Sequence, residues 1–199
     1  MRKKMISKIA ASIALAVAGG LSASVSAIPI QFIYTGTGSG SIGATTFTGT
    51  AFTISESSDT SNLVSCGAGC NFINDNSATI TLAGIGTFSF STGLRTFDSN
   101  GFVGLSRAGS SGSDLIDTFN VGAAYNMASS IGPIAGTPQL LQWGSSPVVT
   151  SGGTLNFANA TTQGTFQAIT RAANVPEPAT LALLGLGLAG LGFRSRKKV

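Results

Sequence analysis

The sequence predicts an all-β fold, a single β-sandwich-like domain of about eight or nine strands. The central part of the chain is rich in Thr, Ser, Gly, Ala and Phe and holds few strong helix formers. Short runs of alternating apolar and polar residues are separated by Gly, Ser and Asn, a pattern typical of strands joined by turns. Eleven of the twelve phenylalanines lie in this part, mostly at alternating positions, and we expect them in the core.

Residues 1–27 have the three-part pattern of a secretory signal peptide. Basic residues come first, an apolar stretch from Ile9 to Leu21 follows, and small residues lead to Ala27. We expect a signal-peptide helix, export through the Sec machinery and cleavage between Ala27 and Ile28. An uncleaved signal anchor is the alternative, and the small polar residues before the cleavage point argue against it.

Residues 28–173 form the predicted exported domain. In the first strand candidate Ile28, Ile30, Phe32 and Tyr34 share one face, because successive side chains point to opposite sides of a strand. Glycines at 84 and 86 predict a bulge or turn within the third candidate. The candidates are, in order, Ile28–Thr35, Thr46–Ser55, Ala78–Ser91, Gly101–Leu105, Asp114–Tyr125, Leu140–Trp143, Gly153–Phe157 and Gly164–Thr170.

The positive charge of the chain is concentrated in its two end segments. The formal net charge is +4, but eight of the eleven basic residues lie in residues 1–27 and 174–199. The region between them has three arginines, six carboxylates and no lysine, a formal net charge of −3. Nucleic-acid binding therefore lacks its electrostatic basis.

The chain has no histidine, which excludes Ser-His-Asp and Cys-His catalysis and zinc sites that contain histidine. The two cysteines, Cys66 and Cys70, are separated by Gly-Ala-Gly, and in an exported protein we expect them to form a local disulfide. A thioredoxin-like redox site is the weaker alternative, since such sites use C-x-x-C. We predict no catalytic residue, no metal site and no cofactor.

Acidic residues supply the enzymatic alternative, a carboxylate-based hydrolase. Its candidate pairs are Asp114 with Asp117 and Glu56 with Asp59. On a strand this spacing places the two side chains on opposite faces, so solvated turn charges are the favoured interpretation. Residues 74–76, Asn-Asp-Asn, could ligate calcium but lack the spacing of an EF-hand, which favours an Asx-type turn.

Aromatic residues supply a second alternative, a carbohydrate-binding module. Its structural sign would be a planar surface around Trp143, Tyr34 or Tyr125. For Trp143 the favoured interpretation is packing in the core or at its rim.

The last segment, residues 174–199, contains three parts in order. Pro176, Glu177 and Pro178 predict a stiff, extended peptide. The next fifteen residues, 179–193, carry no charge and as a helix would span about 22 Å, less than the hydrocarbon core of about 30 Å. We therefore expect a short transmembrane helix that anchors the chain temporarily. The basic cluster at the end predicts a cytoplasmic C-terminus, and its members are Arg194, Arg196, Lys197 and Lys198.

These three parts resemble the PEP-CTERM sorting signal of exported proteins in Gram-negative bacteria. The resemblance implies recognition of the Pro-Glu-Pro motif by exosortase, an integral-membrane cysteine transpeptidase, and removal of the tail. An ordinary tail anchor with a proline-rich boundary is the alternative. The resemblance also suggests a structural protein of the cell surface or of an exopolysaccharide or biofilm matrix, with exopolysaccharide kept open as a partner.

Overall fold

The computed structural model describes residues 27–109, 114–145, 148–158 and 160–171. The predicted signal-peptide helix, the predicted transmembrane helix and the sorting motif lie outside these residues. Within them the one helical segment is a single 3-10 turn, Thr60–Asn62. No helix in the described ranges is long and apolar enough to cross a membrane.

The all-β prediction is confirmed, whereas the predicted number of strands is wrong. Several short strands raise the number to fifteen in the described residues. They are β1 (Pro29–Ile42), β2 (Thr45–Asp59), β3 (Leu63–Gly67), β4 (Cys70–Asn74), β5 (Ser77–Leu82), β6 (Gly86–Ser89), β7 (Leu94–Ser99), β8 (Phe102–Arg107), β9 (Asp114–Asn120), β10 (Ile131–Gly136), β11 (Gln139–Leu140), β12 (Val148–Thr150), β13 (Gly153–Phe157), β14 (Ala160–Thr161) and β15 (Gly164–Thr170).

The strands form two antiparallel sheets. The first sheet has the order β10-β15-β1-β2-β5-β6, and β13 pairs with β1 and β12. The second has the order β14-β11-β9-β8-β7-β4-β3. Strand β1 pairs with β15 over its first half and with β13 near its end. Its pairing with β2 has a register shift between Gly38 and Gly40. A side chain at position 40 would collide with the backbone of Asn156, so glycine is required there.

The core lies between the two sheets and is rich in aromatic rings. Tyr34 and Phe166 of the first sheet pack together with ring centroids 5.1 Å apart, and Phe119 of the second sheet lies 6.1 Å from Tyr34. The prediction that phenylalanines form the core holds for six of them, and it is wrong for Phe102, which is 43% exposed. The six buried ones are Phe32, Phe47, Phe52, Phe119, Phe157 and Phe166.

Agreement between predicted and observed strands follows the strength of the alternating pattern. Gly153–Phe157 and Gly164–Thr170 are observed with the predicted bounds, and the third candidate divides into β5 and β6. The strand predicted to reach Tyr125 ends at Asn120, because the Asn120 side chain accepts a hydrogen bond from the Gly122 N–H and the chain turns there. Ile28 also departs from prediction, since it precedes β1 and is 38% exposed.

Candidate functional site

The sequence prediction for the environment of Glu56 is wrong. Its side chain is 0% exposed, whereas a solvated turn charge was expected. Strand β2 runs on to Asp59, so Glu56 lies on the same inward face as Phe52 and Ile54. It pairs across the sheet with Phe32 on β1. Extending the alternating pattern of β2 two residues beyond Ile54 would have identified the Glu56 side chain as inward-facing.

Asp75 lies where the chain crosses from the second sheet to the first. It follows β4 and precedes β5, and both of its carboxylate oxygens are buried, so the expected Asx-type turn does not describe its side chain. The crossover is tied to both sheets. The Asp75 N–H donates to the Leu94 carbonyl (3.1 Å), the Asn76 N–H to the Ser57 carbonyl (2.9 Å), and the Ser58 hydroxyl to the Asn74 carbonyl (2.7 Å).

A chain of short polar contacts leads from Glu56 across the interface between the sheets. Oε2 of Glu56 lies 2.6 Å from the Thr96 hydroxyl, which lies 2.8 Å from the Tyr34 hydroxyl. Tyr34 also donates to the carbonyl of Gly104 at 3.0 Å. Thr96 donates its single hydroxyl hydrogen to Glu56, and Tyr34 donates its own to Gly104.

The contact between Glu56 and Asp75 needs a proton of its own. The two carboxyl groups are within hydrogen-bonding reach of each other. No hydrogen-bond donor among the described residues contacts Oε1 of Glu56 or either carboxylate oxygen of Asp75. Since an ionised carboxylate only accepts, the two groups can bond only when one of them is protonated. The pair is therefore a proton-sharing carboxyl pair, Glu56 with Asp75.

Burial raises the pKa of both members of this pair. The pKa of Glu56 is raised well above its ordinary value by burial and then by the neighbouring Asp75 charge. Burial raises the pKa of Asp75 to about 7. The pKa of the buried Tyr34 is also raised, first by burial and then by Glu56, so its phenol stays protonated. No basic group in the described part of the chain contributes to the shift of either carboxyl.

The hydrolase alternative required two carboxylates at an open cleft, and the predicted pairs do not provide them. Asp59 accepts a hydrogen bond from the Ser61 N–H at 2.7 Å and caps the 3-10 turn, while Glu56 points into the core. Asp114 and Asp117 lie half-buried on β9. The carboxylates that do meet, Glu56 and Asp75, have buried carboxyl oxygens and do not line an open cleft.

The planar aromatic surface expected of a carbohydrate-binding module is not observed around the three candidate residues. Trp143, Tyr34 and Tyr125 are all buried, so none of them forms a planar exposed surface. The Trp143 indole N–H donates to the Leu115 carbonyl at 2.8 Å, and its ring meets Phe157 edge-on. The core interpretation of Trp143 is confirmed.

The disulfide between Cys66 and Cys70 is confirmed, and it closes the hairpin of β3 and β4. We expect replacement of both cysteines by serine to lower the free energy of unfolding by about 2 kcal/mol, because so short a loop restricts the unfolded chain only modestly. Urea unfolding of the oxidised protein and of the double variant would measure the difference. Equal stability of the two proteins would contradict this expectation.

The two ends of the described domain lie side by side. The Arg171 N–H donates to the Pro29 carbonyl at 2.9 Å, and the Thr60 N–H donates to the Ile28 carbonyl at 3.0 Å. Ala27 and Ile28, the predicted cleavage residues, are exposed. The sorting residues Pro176, Glu177 and Pro178 and the basic cluster lie outside the described residues. Cleavage at Ala27 and the domain bounds at 28 and 173 stay predictions.

The described residues thus define a two-sheet antiparallel β protein. The segment that follows them in the sequence contains its sorting signal. The family model of the PEP-CTERM protein-sorting motif matches residues 174–197. The chain is therefore a PEP-CTERM sorting-signal protein, and this motif marks it for export and for sorting by exosortase. Neither the curated proteins nor the solved structures compared with the chain include a match.

Proposed function

We propose that exosortase removes the tail and that the β domain then serves a structural, non-catalytic role at the cell surface or in an extracellular matrix. The sorting motif at residues 174–197 is the observation that carries this proposal. In the precursor, the tail anchors the chain in the inner membrane with its basic cluster in the cytoplasm.

The distance between the domain and the motif supports a membrane-proximal precursor. Strand β15 ends at Thr170, and Arg171 is still bonded to Pro29. Four residues, 172–175, separate Arg171 from Pro176. Even fully extended, the five steps from Arg171 to Pro176 span at most about 18 Å. The folded domain is thus held near the membrane until the tail is removed.

The closed carboxyl pair supports the non-catalytic part of the proposal. Glu56 is completely buried, and it shares its hydrogen-bonding capacity with Thr96 and Asp75 rather than with solvent. A substrate would have to separate the sheets to reach it. The hydrolase alternative would gain support from hydrolytic activity that Glu56→Gln abolishes without unfolding the domain.

Processing by exosortase predicts a specific change in mass. In exosortase-positive cells we expect the wild-type protein to begin at Ile28 and to lack the residues beyond the Pro-Glu-Pro motif. We expect Glu177→Gln to keep an intact C-terminus and to stay in the membrane fraction, because the only charge of the motif is lost. Intact-mass spectrometry of the fractionated protein would measure both.

A matched control lies in the same tail. Ser195→Ala leaves the triplet, the apolar run and all four basic residues unchanged, so we expect normal processing. Wild-type protein that keeps its whole tail in exosortase-positive cells would overturn the processing proposal.

A further inference from the structure

Thr96 and Glu56 place a hydroxyl against a carboxyl between the two sheets. The Thr96 hydroxyl donates to Oε2 of Glu56 at 2.6 Å, and both side chains are 0% exposed. The carboxyl carbon of Glu56 is one bond of about 1.2 Å from Oε2, so it lies at most about 3.8 Å from the Thr96 oxygen. Reacting atoms in a near-attack geometry are about 3–3.5 Å apart. The fold thus holds a nucleophile close to a carboxyl carbon.

The proton shared with Asp75 makes this carboxyl a better electrophile than an ionised glutamate. A carboxylate resists attack by an oxygen nucleophile because its negative charge repels the approaching lone pair. Asp75 lies within hydrogen-bonding reach of Glu56, and Oε1 of Glu56 has no other donor among the described residues. Burial and the Asp75 charge raise the pKa of Glu56, which favours the neutral acid. A hydroxyl, a neutral acid and a second carboxyl therefore meet at one point.

The surroundings of this point hold the hydroxyl in place and limit access of water. The Tyr34 hydroxyl lies 2.8 Å from the Thr96 oxygen and donates to the Gly104 carbonyl. Phe32 and Ala78, the cross-strand neighbours of Glu56 in the first sheet, are both buried. Hydrolysis of an ester needs water at the carboxyl carbon, so a closed site protects the product once it has formed.

We propose that the Thr96 hydroxyl and the Glu56 carboxyl condense to an ester that joins the two sheets covalently. The Thr96 oxygen attacks Cδ of Glu56, the Oγ1–Cδ bond forms and the Cδ–Oε1 bond breaks. Oε1 leaves as water and carries away the acid proton and the hydrogen of the Thr96 hydroxyl. Asp75 relays these hydrogens to the departing oxygen and ends in its initial protonation state. The only products are the ester and one water molecule, so the step needs no oxidant or reductant.

Proximity drives this condensation toward the ester. Between separate molecules in water, the excess of solvent favours the free acid and alcohol. Well-oriented groups within one molecule reach effective molarities of about 10⁵ M and above, which exceed the concentration of water. The packed sheets supply this orientation before the reaction begins, and the water that leaves gains freedom in the solvent.

The ester connects β2 of the first sheet with β7 of the second. The disulfide between Cys66 and Cys70 lies within the second sheet, so it does not join the two sheets. A covalent tie between the sheets suits a structural protein outside the cell, but the inference rests on the core geometry and not on sorting. The proton-sharing pair belongs to the unlinked chain, and Asp75 stays a buried acid in both forms.

Trypsin provides a direct test, because it cuts after Arg95 and after Arg107. Digestion of an unlinked chain releases the twelve-residue peptide 96–107. In a linked chain this peptide stays attached to the fragment that contains Glu56, and the pair has a mass about 18 Da below the sum of the two peptides. We expect mass spectrometry of the digested full-length wild type to show mainly the linked pair, with fragment ions that place the link at Thr96 and Glu56.

Three variants assign the roles. Thr96→Val removes the nucleophile and keeps the branched shape, so we expect peptide 96–107 to be released free. General acid–base catalysis contributes about 10²–10⁴-fold, so we expect Asp75→Asn to slow linking after synthesis at least about a hundredfold. The control Thr46→Val changes an exposed threonine on β2, the strand that carries Glu56, and we expect the linked fraction of wild type. Melting temperatures measured alongside identify any variant that does not fold.

Complete release of free peptide 96–107 from folded wild type would overturn the proposal, and this result requires no variant to fold. A linked pair of equal yield in Thr96→Val would also overturn it, because the link would then involve another residue. Linking of Asp75→Asn at the wild-type rate would overturn the relay assigned to Asp75. Removal of the tail changes neither tryptic peptide, so failure of exosortase processing and failure of the ester are distinguishable.

Discussion

Raising the pH from about 4 to about 8 is expected to destabilise the folded domain, the reverse of the usual effect of carboxylates. In the unfolded chain Asp75 has its ordinary pKa of 3.8, whereas burial raises it to about 7 in the fold. The fold therefore binds the proton more tightly than the unfolded chain does. This stability is fully present below the unfolded pKa and is lost as the pH rises through the folded pKa.

The size of this effect follows from the shift of Asp75. Each pH unit between the unfolded and folded pKa contributes about 1.4 kcal/mol, so the loss is on the order of 4 kcal/mol across this range. Burial and the neighbouring Asp75 charge also raise the pKa of Glu56, so its titration acts on stability in the same direction. Urea unfolding at a series of pH values would measure the slope.

Amide variants separate this pair from the other carboxylates. Glu56→Gln and Asp75→Asn remove the ionisable groups and keep their shape, so we expect a flatter dependence of stability on pH. Asp59→Asn is the matched control, because Asp59 caps a surface turn and asparagine also caps well. A wild-type stability that increases steadily from about pH 4 to about pH 7 would contradict the proton-sharing pair.

Trp143→Ala is expected to lower the free energy of unfolding by about 3–5 kcal/mol. The indole is 1% exposed, and its centroid lies 4.9 Å from that of Phe157. Truncation leaves a cavity and removes the hydrogen bond to the Leu115 carbonyl. Trp143→Phe keeps most of the ring volume, so we expect a smaller loss of about 1–3 kcal/mol, from the lost indole hydrogen bond and the small residual cavity. The Leu115 carbonyl still accepts from the Leu141 N–H at 2.9 Å.

The control for this prediction is Phe102→Ala. Phe102 is 43% exposed on β8, so its truncation should cost less than about 1 kcal/mol. Thermal and urea unfolding of the three variants would rank them. Similar stabilities of Trp143→Ala and Phe102→Ala would contradict the buried position of the indole.

Local patterns in the sequence were sufficient for the strand class and the sorting signal. The strands with the clearest alternation, such as Gly153–Phe157, were predicted with their observed bounds. Strand β7 was missed because Thr96 and Asp98 occupy its inward positions, while Phe97 points outward. Its apolar residues therefore do not follow the period of two that marks a strand with one buried face.

The carboxyl pair depends on contacts between residues far apart in the chain. Glu56 meets Thr96, forty residues away, only because the two sheets face each other. Asp75 reaches Glu56 because the crossover between β4 and β5 is held to both sheets. The pairing of β15 with β1 likewise aligns Thr165 with Thr35, far apart in the chain, so that their hydroxyls lie 2.8 Å apart.

The sequence by itself determined the all-β class, the disulfide and the sorting tail, because each is encoded by neighbouring residues and their spacing. Only the tertiary structure decided which carboxylates share a proton and which threonines lie side by side. Burial and strand register create both features, and neither quantity is defined until distant strands pair. A glutamate such as Glu56 has an ordinary pKa in an isolated strand and a raised one between two sheets.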